Sequence, residues 1–386
     1  MRAFIFNTTP SVVFEGGAAK RLGALMGQRL GSRVLFVTDP GLRSLGLCNP
    51  ALASLEAAGM TTTLFDQVEA DPSRATLMRA VEAGHAGGVT GVIGFGGGSS
   101  LDVAKLASLL LGSGEDLDNA WGVAQAKGPR LPLALVPTTA GTGSEVTPVS
   151  IITVGEEEKR GVSSPVILPD IAVLDPELTL GLPPAITAAT GVDTMVHAIE
   201  AYASKNANNN PLSRMLARQA LQLLGANIEA AVFGGGNIEA RGSMLLGSML
   251  AGQAFANSPV AAVHALAYPI GGTFHVPHGL SNALVLPHVL RFNAPDAAPL
   301  YAEIAADAFP HLAGEEGTQG RCAAFIEELA ALAGKLGMQT RLRDVGIGQE
   351  HLPKMAADAM KQQRLLVNNP RPVEEADCLA IYRAAW

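Results

Sequence analysis

Short β-branched runs recur through the first 180 residues of this 386-residue chain and then stop, and that break constrains the fold more than any other feature. The runs lie at residues 33–38, 61–65, 91–95 and 133–136, with helix-like segments at 73–83 and 100–111 between them. Strands alternating with helices predict βαβ units and a parallel sheet covered on both faces. Beyond Leu182-Pro183-Pro184 only helical periodicity remains, through residues 185–203, 212–231, 240–256, 280–292, 319–336 and 374–385. The sequence therefore predicts an α/β domain over residues 1–180 and an all-α domain over 181–386, and the length suits two domains. The Asn-rich patch at 206–210 reads as a loop.

Composition narrows the function classes. Hydrophobic residues make up 48% and charged residues 16%, too apolar a balance for disorder. The net charge is −8 and no basic run exceeds Lys159-Arg160, so the electrostatic footprint of a nucleic-acid binder is missing. Cys48, Cys322 and Cys378 are far apart without CxxC spacing, which points to a reducing compartment and away from a disulfide framework or thiolate metal site. The apolar opening after Met1-Arg2 is too short for a signal peptide, and no run reaches the ~18 apolar residues of a membrane span. A cytoplasmic protein with no membrane partner is expected.

Three loops invite a nucleotide. Gly94-Phe95-Gly96-Gly97-Gly98-Ser99-Ser100 ends a predicted strand and opens a helix with Asp102 and Lys105 in its first turns. Glycines admit a phosphate close to the backbone, and the helix start offers unpaired N–H groups. The usual dinucleotide fingerprint is not met, because its last glycine is Ser99 here; a ligand-free tight turn is the plain alternative. Asp39 follows the strand at 33–38, where it could bind a ribose diol or simply cap a helix. The segment from Pro137 to Thr147 sets Thr138, Thr139, Thr142 and Ser144 after another strand, suited to phosphate or ribose oxygens or to a polar turn.

Histidines are the most informative residues of the second half. Asp193-Thr194-Met195-Val196-His197 puts a carboxylate and an imidazole four residues apart on one helix face, and His264 and His278 follow. One aspartate and three histidines suit a divalent transition ion such as Fe²⁺ or Zn²⁺.

Along essentially the whole chain these motifs resemble the iron-containing, group III alcohol dehydrogenases. The likeness runs from Val12-Val13-Phe14-Glu15-Gly16-Gly17-Ala18 through the glycine loop to Lys105 and through Pro137 to Thr147. It continues over Gly191 to Tyr202 and ends at Pro277-His278-Gly279. The resemblance implies an N-terminal dinucleotide domain, a helical C-terminal domain, and an active site in the cleft between them. It implies Asp193, His197, His264 and His278 as metal ligands, and NAD bound by Asp39, Gly96, Gly97, Gly98, Ser99, Asp102, Thr138, Thr139, Thr142, Ser144 and Lys159. Phe255 and Val149 are the substrate-pocket residues it implies, and a small alcohol or carbonyl compound is the substrate. A homodimer or larger homo-oligomer is also implied. Lys159 lies in the charged run from Glu156 to Arg160, which otherwise reads as a solvated turn.

One position departs from the family pattern. Many members carry a proton-relay histidine four residues after the ligand matching His264, where this chain has Tyr268. A phenol, with an ordinary pKa of ~10, is a weak base near neutrality, so Tyr268 and His275 are both candidates for the proton path. Maleylacetate-reductase-like and hydroxyacid–oxoacid transhydrogenase activities, a lyase like dehydroquinate synthase, and a non-catalytic metal and dinucleotide binder stand as the alternatives.

Overall fold

Alternate residues of the central strands turn to opposite faces, and both sets are apolar. The computed structural model describes residues 3–27, 29–155 and 158–386; Met1, Arg2, Gln28, Glu156 and Glu157, with the readings that touch them, lie outside the described residues. The chain divides into two compact units, one from Asn7 to Leu180 and the other from Gly181 to Trp386 together with residues 3–6. Ile5 joins the second unit through its backbone, whose N–H and C=O both bond the side chain of Asn208.

The first unit carries β1 (Ser11–Phe14), β2 (Arg33–Val37), β3 (Thr61–Phe65), β4 (Gly91–Gly96), β5 (Gly122–Val123), β6 (Leu133–Pro137), β7 (Val149–Val154), β8 (Glu158–Ser163) and β9 (Ile171–Leu174). Its helices are α1 (Leu22–Met26), α2 (Pro40–Ser44), α3 (Asn49–Ala57), α4 (Arg74–Gly87) and α5 (Gly98–Ser113). Six strands form one parallel sheet in the order β1-β9-β6-β4-β2-β3. Val34, Phe36, Ile93 and Phe95 enter the core on one face, and Leu35, Val37 and Val92 enter the core on the other, against Leu101, Ala104 and Leu77. Burial on both faces is why these strands read as continuous apolar runs. The strands not foreseen are β1, β9 and the small sheet β5-β8-β7, where short length and charged residues such as Lys159 and Arg160 hide the pattern.

Because β3 lies on one side of β2 and β4 on the other, the order of strands reverses between β2 and β4. Open α/β sheets bind ligands outside the carboxyl ends of the strands at such a reversal. The three loops singled out above leave β2, β4 and β6, which are neighbours there.

The second unit is helical: α6 (Pro184–Ala203), α7 (Pro211–Phe233), α8 (Ile238–Asn257), α9 (Ala262–Phe274), α10 (His278–Ala308), α11 (Thr318–Lys335), α12 (Leu352–Ala359), α13 (Gln363–Leu366) and α14 (Glu375–Ala385). Caps fix several starts. Asn210 caps α7 with a reciprocal bond from Ser213, Pro211 stands at the first turn, and Asn237 caps α8. Helix α10 is longer than the predicted 280–292, continuing through Pro287, Pro295 and Pro299. Proline ordinarily ends a helical pattern, but here buried Leu284, Val289, Tyr301 and Ile304 hold the helix onto its neighbours on either side of these positions. Helix α9 escaped the periodicity because it is apolar all round and contains Pro269.

Candidate functional site

Helix α6 presents Asp193 and His197 one turn apart, α9 brings His264, and α10 begins at His278. One ligand atom from each of these four residues lies within 4.8 Å of all the others. The imidazole of His264 stands 4.7 Å from that of His197 and 5.4 Å from that of His278, centre to centre. The side chains of Asp193 and His264 are 4% and 5% exposed, whereas His278 is 42% exposed, so the cluster opens on the His278 side. Burial alone would push the Asp193 carboxyl up, but His278, His197, His264 and the Asn282 amide outweigh it and hold its pKa below the ordinary value. Asn282 donates to Asp193 Oδ1 from one turn beyond His278.

A divalent ion fits this donor set. His264 Nε2 is buried without a hydrogen-bond partner and lies 3.8 Å from Asp193 Oδ1. A buried imidazole nitrogen left bare is costly unless something binds its lone pair, and a carboxylate with three imidazoles suits Fe²⁺ or Zn²⁺. The helices are pressed together to make this possible. A Cβ on Gly279 would fall 2.2 Å from the carbonyl oxygen of Ala189 and 3.3 Å from Asp193 Cβ, so only glycine lets α10 start against α6 here.

Around the cluster, Phe255 stacks on His197 at 4.5 Å between ring centres. Tyr268 lies 6.4 Å from the His278 ring, and its hydroxyl accepts a hydrogen bond of 3.1 Å from Arg364 on α13. His275 is not brought into the cluster. It is an exposed residue that ends α9 with φ of +54°, and its ring makes no hydrogen bond or ring contact among the described residues.

The nucleotide loops belong to the first unit. Gly96 takes φ of +152°, and the backbone N–H of Thr138 donates to its carbonyl at 3.0 Å, tying the β4 and β6 loops together. Helix α5 starts at Gly98 with no side-chain cap, and a Cβ there would sit 2.9 Å from Thr142 Cγ2; Thr139 lies 3.7 Å from where a Gly97 Cβ would be. Ser99, Thr139 and Thr142 are partly exposed on this crest, while Thr138 is buried. Asp39 caps α2, its Oδ1 accepting from Leu42 N at 2.9 Å, and Oδ2 makes no hydrogen bond among the described residues. Lys159 is paired with Asp71 at 2.6 Å.

Asp102 and Ser144 bond each other rather than standing free. Asp102 Oδ1 accepts from Ser144 Oγ at 2.7 Å and Oδ2 from Ile151 N at 2.9 Å. Lys105 is fully buried, its ammonium donating to Ser144 Oγ, Thr147 Oγ1 and the carbonyl of Val149 at 2.7, 3.2 and 2.7 Å. Burial pushes Lys105 down to about 8 and the adjacent buried Glu145 up to about 7. This internal cluster was not legible in the sequence, which places Asp102 and Lys105 in the first turns of α5 without showing that Ser144, Thr147 and Val149 close over the ammonium.

Residues 9–176 match the family described as iron-containing alcohol dehydrogenase, and residues 187–386 match the C-terminal part of the Fe-containing alcohol dehydrogenase family. Long-chain-alcohol dehydrogenase 1 of Geobacillus thermodenitrificans is 41% identical over 369 residues, covering 93% of this chain and 91% of that protein. The crystal structure of a 1,3-propanediol oxidoreductase superposes with a TM-score of 0.96 at 34% identity, covering 100% of both chains. Sulfoacetaldehyde reductase from Bifidobacterium kashiwanohense, in complex with NAD+, gives 0.87 at 26% identity over 100% of this chain and 99% of that one. Sequence likeness over nearly the full length and a shared fold lead to one conclusion: the chain is an oxidoreductase belonging to the iron-containing alcohol dehydrogenase family.

Proposed function

We propose that the enzyme uses NAD(H) and one divalent ion, Fe²⁺ with Zn²⁺ as the alternative, to interconvert a small alcohol and its aldehyde or ketone. The observation that carries this reading is the convergence of Asp193, His197, His264 and His278 within 4.8 Å. An ion held by these four supplies Lewis acidity to an alcohol or carbonyl oxygen, while the nicotinamide takes or gives the hydride.

The chain's own residues do the rest. His278, on the open side of the cluster, marks where substrate arrives, Phe255 on His197 supplies an apolar wall, and Val149 of the first unit is a further apolar residue we assign to the substrate. Gly96, Gly97, Gly98 and Ser99, with the free N–H groups of α5, receive the pyrophosphate, helped by Thr138, Thr139 and Thr142. Asp102 and Ser144 act by holding the β6 loop and β7 in place. Asp39 keeps one oxygen for the adenosine ribose, and Lys159 turns from Asp71 to the nucleotide. The proton moves by Tyr268 or His275, or by water. The complex of a structural neighbour with NAD+ supports the cofactor. The three free, buried cysteines are consistent with a reducing cytoplasm, and no helix among the described residues is long and apolar enough to cross a membrane. We assign a homodimer or larger homo-oligomer, to be tested by sedimentation.

A second reading has its own observation. Arg364, beside Tyr268, pairs with no carboxylate among the described residues, and a guanidinium there suits a carbonyl substrate bearing a sulfonate or carboxylate. An NADH-oxidation screen over neutral aldehydes, ketones, oxoacids and sulfonated aldehydes, on protein reconstituted with Fe²⁺ or Zn²⁺, tests both readings. No turnover of any carbonyl compound with metal and NADH bound would overturn them together.

A further inference from the structure

Helix α6 carries a third acidic or basic group on the face that bears the metal cluster: Glu200 follows Asp193 by seven residues and His197 by three, a helical repeat that keeps all three on one side. Glu200 is 5% exposed, and among the described residues no lysine or arginine pairs with it. Three donors converge on it instead. Its Oε2 faces His264 Nδ1 at 2.7 Å and accepts the backbone N–H of Ala261 at 3.0 Å, while Oε1 accepts the N–H of Val263 at 2.7 Å. The two backbone donors belong to the start of α9, which has no side-chain cap of its own. Glu200 therefore caps α9 from a neighbouring helix.

The third donor has a different consequence. A carboxylate only accepts, so His264 Nδ1 must carry the proton in this contact, which leaves Nε2 as a bare acceptor. Nε2 is the buried nitrogen without a hydrogen-bond partner, lying 3.8 Å from Asp193 Oδ1 inside the cluster. Histidines that bind metals commonly donate their other N–H to a carboxylate or carbonyl, which fixes ring and tautomer.

We propose that Glu200 is a positioning residue: it locks His264 in the Nδ1–H form and holds Nε2 toward the metal-ligand cluster. The inference rests on the metal reading of the four residues, and the test separates the two. In Glu200→Gln one neutral oxygen remains: in the place of Oε2 it accepts from His264 Nδ1 and Ala261 N–H but sets the NH2 group against the Val263 N–H, and in the place of Oε1 it sets the NH2 group against both His264 Nδ1 and the Ala261 N–H. Either way the charge-assisted hold on the Nδ1–H form of His264 is lost, so the Nε2–H form, whose lone pair is withdrawn from the cluster, gains population. Co²⁺ titration followed by its visible absorption, with ¹⁵N-histidine chemical shifts of the metal-free proteins and their Tm, reads this directly.

The expected result is a 10–100-fold loss of Co²⁺ affinity in Glu200→Gln, the size usual for losing such an outer partner. It should come with a gain of the Nε2–H form of His264 in the ¹⁵N spectrum, and the Tm reads separately the weakened cap of α9. A purely helix-capping Glu200 would leave Co²⁺ affinity unchanged in this variant, which overturns the proposal while leaving the metal site standing. Should Glu200→Gln fail to fold, the wild-type spectrum decides: His264 in the Nδ1–H form supports the proposal and in the Nε2–H form refutes it. Failure of the wild-type protein to bind Co²⁺ at all would instead overturn the metal reading.

Discussion

Replacing Gly279 with alanine should dismantle the metal site by moving one helix. The new Cβ would fall 2.2 Å from the carbonyl oxygen of Ala189; the carbonyl is backbone and the Cβ is fixed by its own backbone, so no side-chain rotation relieves the clash. To reach even 3.0 Å, the start of α10 must retreat from α6 by roughly 0.8 Å, since close-packed interiors offer no slack. His278 is the residue before Gly279 and moves with it, whereas metal–ligand distances tolerate only about 0.2 Å. The 3.3 Å approach of the same Cβ to Asp193 pushes the carboxylate as well. Overpacking of this kind costs about 1–3 kcal/mol of stability, and loss of one ligand's alignment should weaken Co²⁺ or Zn²⁺ at least tenfold, about 1.4 kcal/mol. The assay is chelator-competition titration of the metal together with thermal unfolding of the metal-free protein. Gly225→Ala provides the contrast, because its Cβ would lie 1.9 Å from the carbonyl of Ala308 at the far end of α10. It should lower the Tm comparably and leave metal affinity unchanged. Gly279→Ala binding metal as tightly as wild type, or Gly225→Ala weakening it equally, would refute the reasoning.

Other consequences are equally open to measurement. Asp39→Ala should narrow the preference for NADH over NADPH in kcat/KM and cost about 1 kcal/mol through the lost α2 cap; a wild-type enzyme indifferent between the two cofactors would remove the ribose role. Tyr268→Phe should leave kcat for aldehyde reduction within about tenfold, since a required general acid or base costs ~10²–10⁴; a thousandfold fall with metal and NADH still bound would make Tyr268 the proton carrier. Burial raises Glu145 to about 7, so the folded chain binds a proton there that the unfolded chain, titrating near its ordinary value, has released. This group's contribution to stability therefore falls as pH rises from about 4.5 to 7 and stays low above it. Glu145→Gln should remove that slope and stabilise the protein at pH 8 by up to roughly 3 kcal/mol, read by denaturant unfolding across pH with Lys105 and Asp102 intact; an unchanged slope would show that Glu145 stays ionised.

The parts of this structure that rest on local pattern were legible in the sequence. The strands at 33–37, 61–65, 91–96 and 133–137 are β-branched runs bounded by turn residues, and the helices from 184 onward have long periodic faces. Legible too was the Asp193/His197 pair, because four residues on a helix is a fixed distance. What the pattern could not supply is what depends on tertiary approach. Lys105 stands in the first turns of the helix after the glycine loop, and nothing local shows that Ser144 and Thr147 fold over its ammonium from about forty residues away. Glu200 carried the signal of its spacing from Asp193, but its partners at Ala261, Val263 and His264 are more than sixty residues away. Helix α9 lacked a polar face, and α10 ran through prolines that local rules treat as stops.

Metal content measured by elemental analysis, with NADH-dependent aldehyde reduction assayed on the same samples, tests the central claim most directly. The comparison is between the wild-type chain and a His197→Ala/His278→Ala double variant. The arrangement of Asp193, His197, His264 and His278 predicts one divalent ion per wild-type chain. In the double variant both ion and turnover should be lost while the fold, read by circular dichroism, is kept. A double variant that retains one ion per chain, or that reduces aldehydes at the wild-type rate without one, would contradict the account.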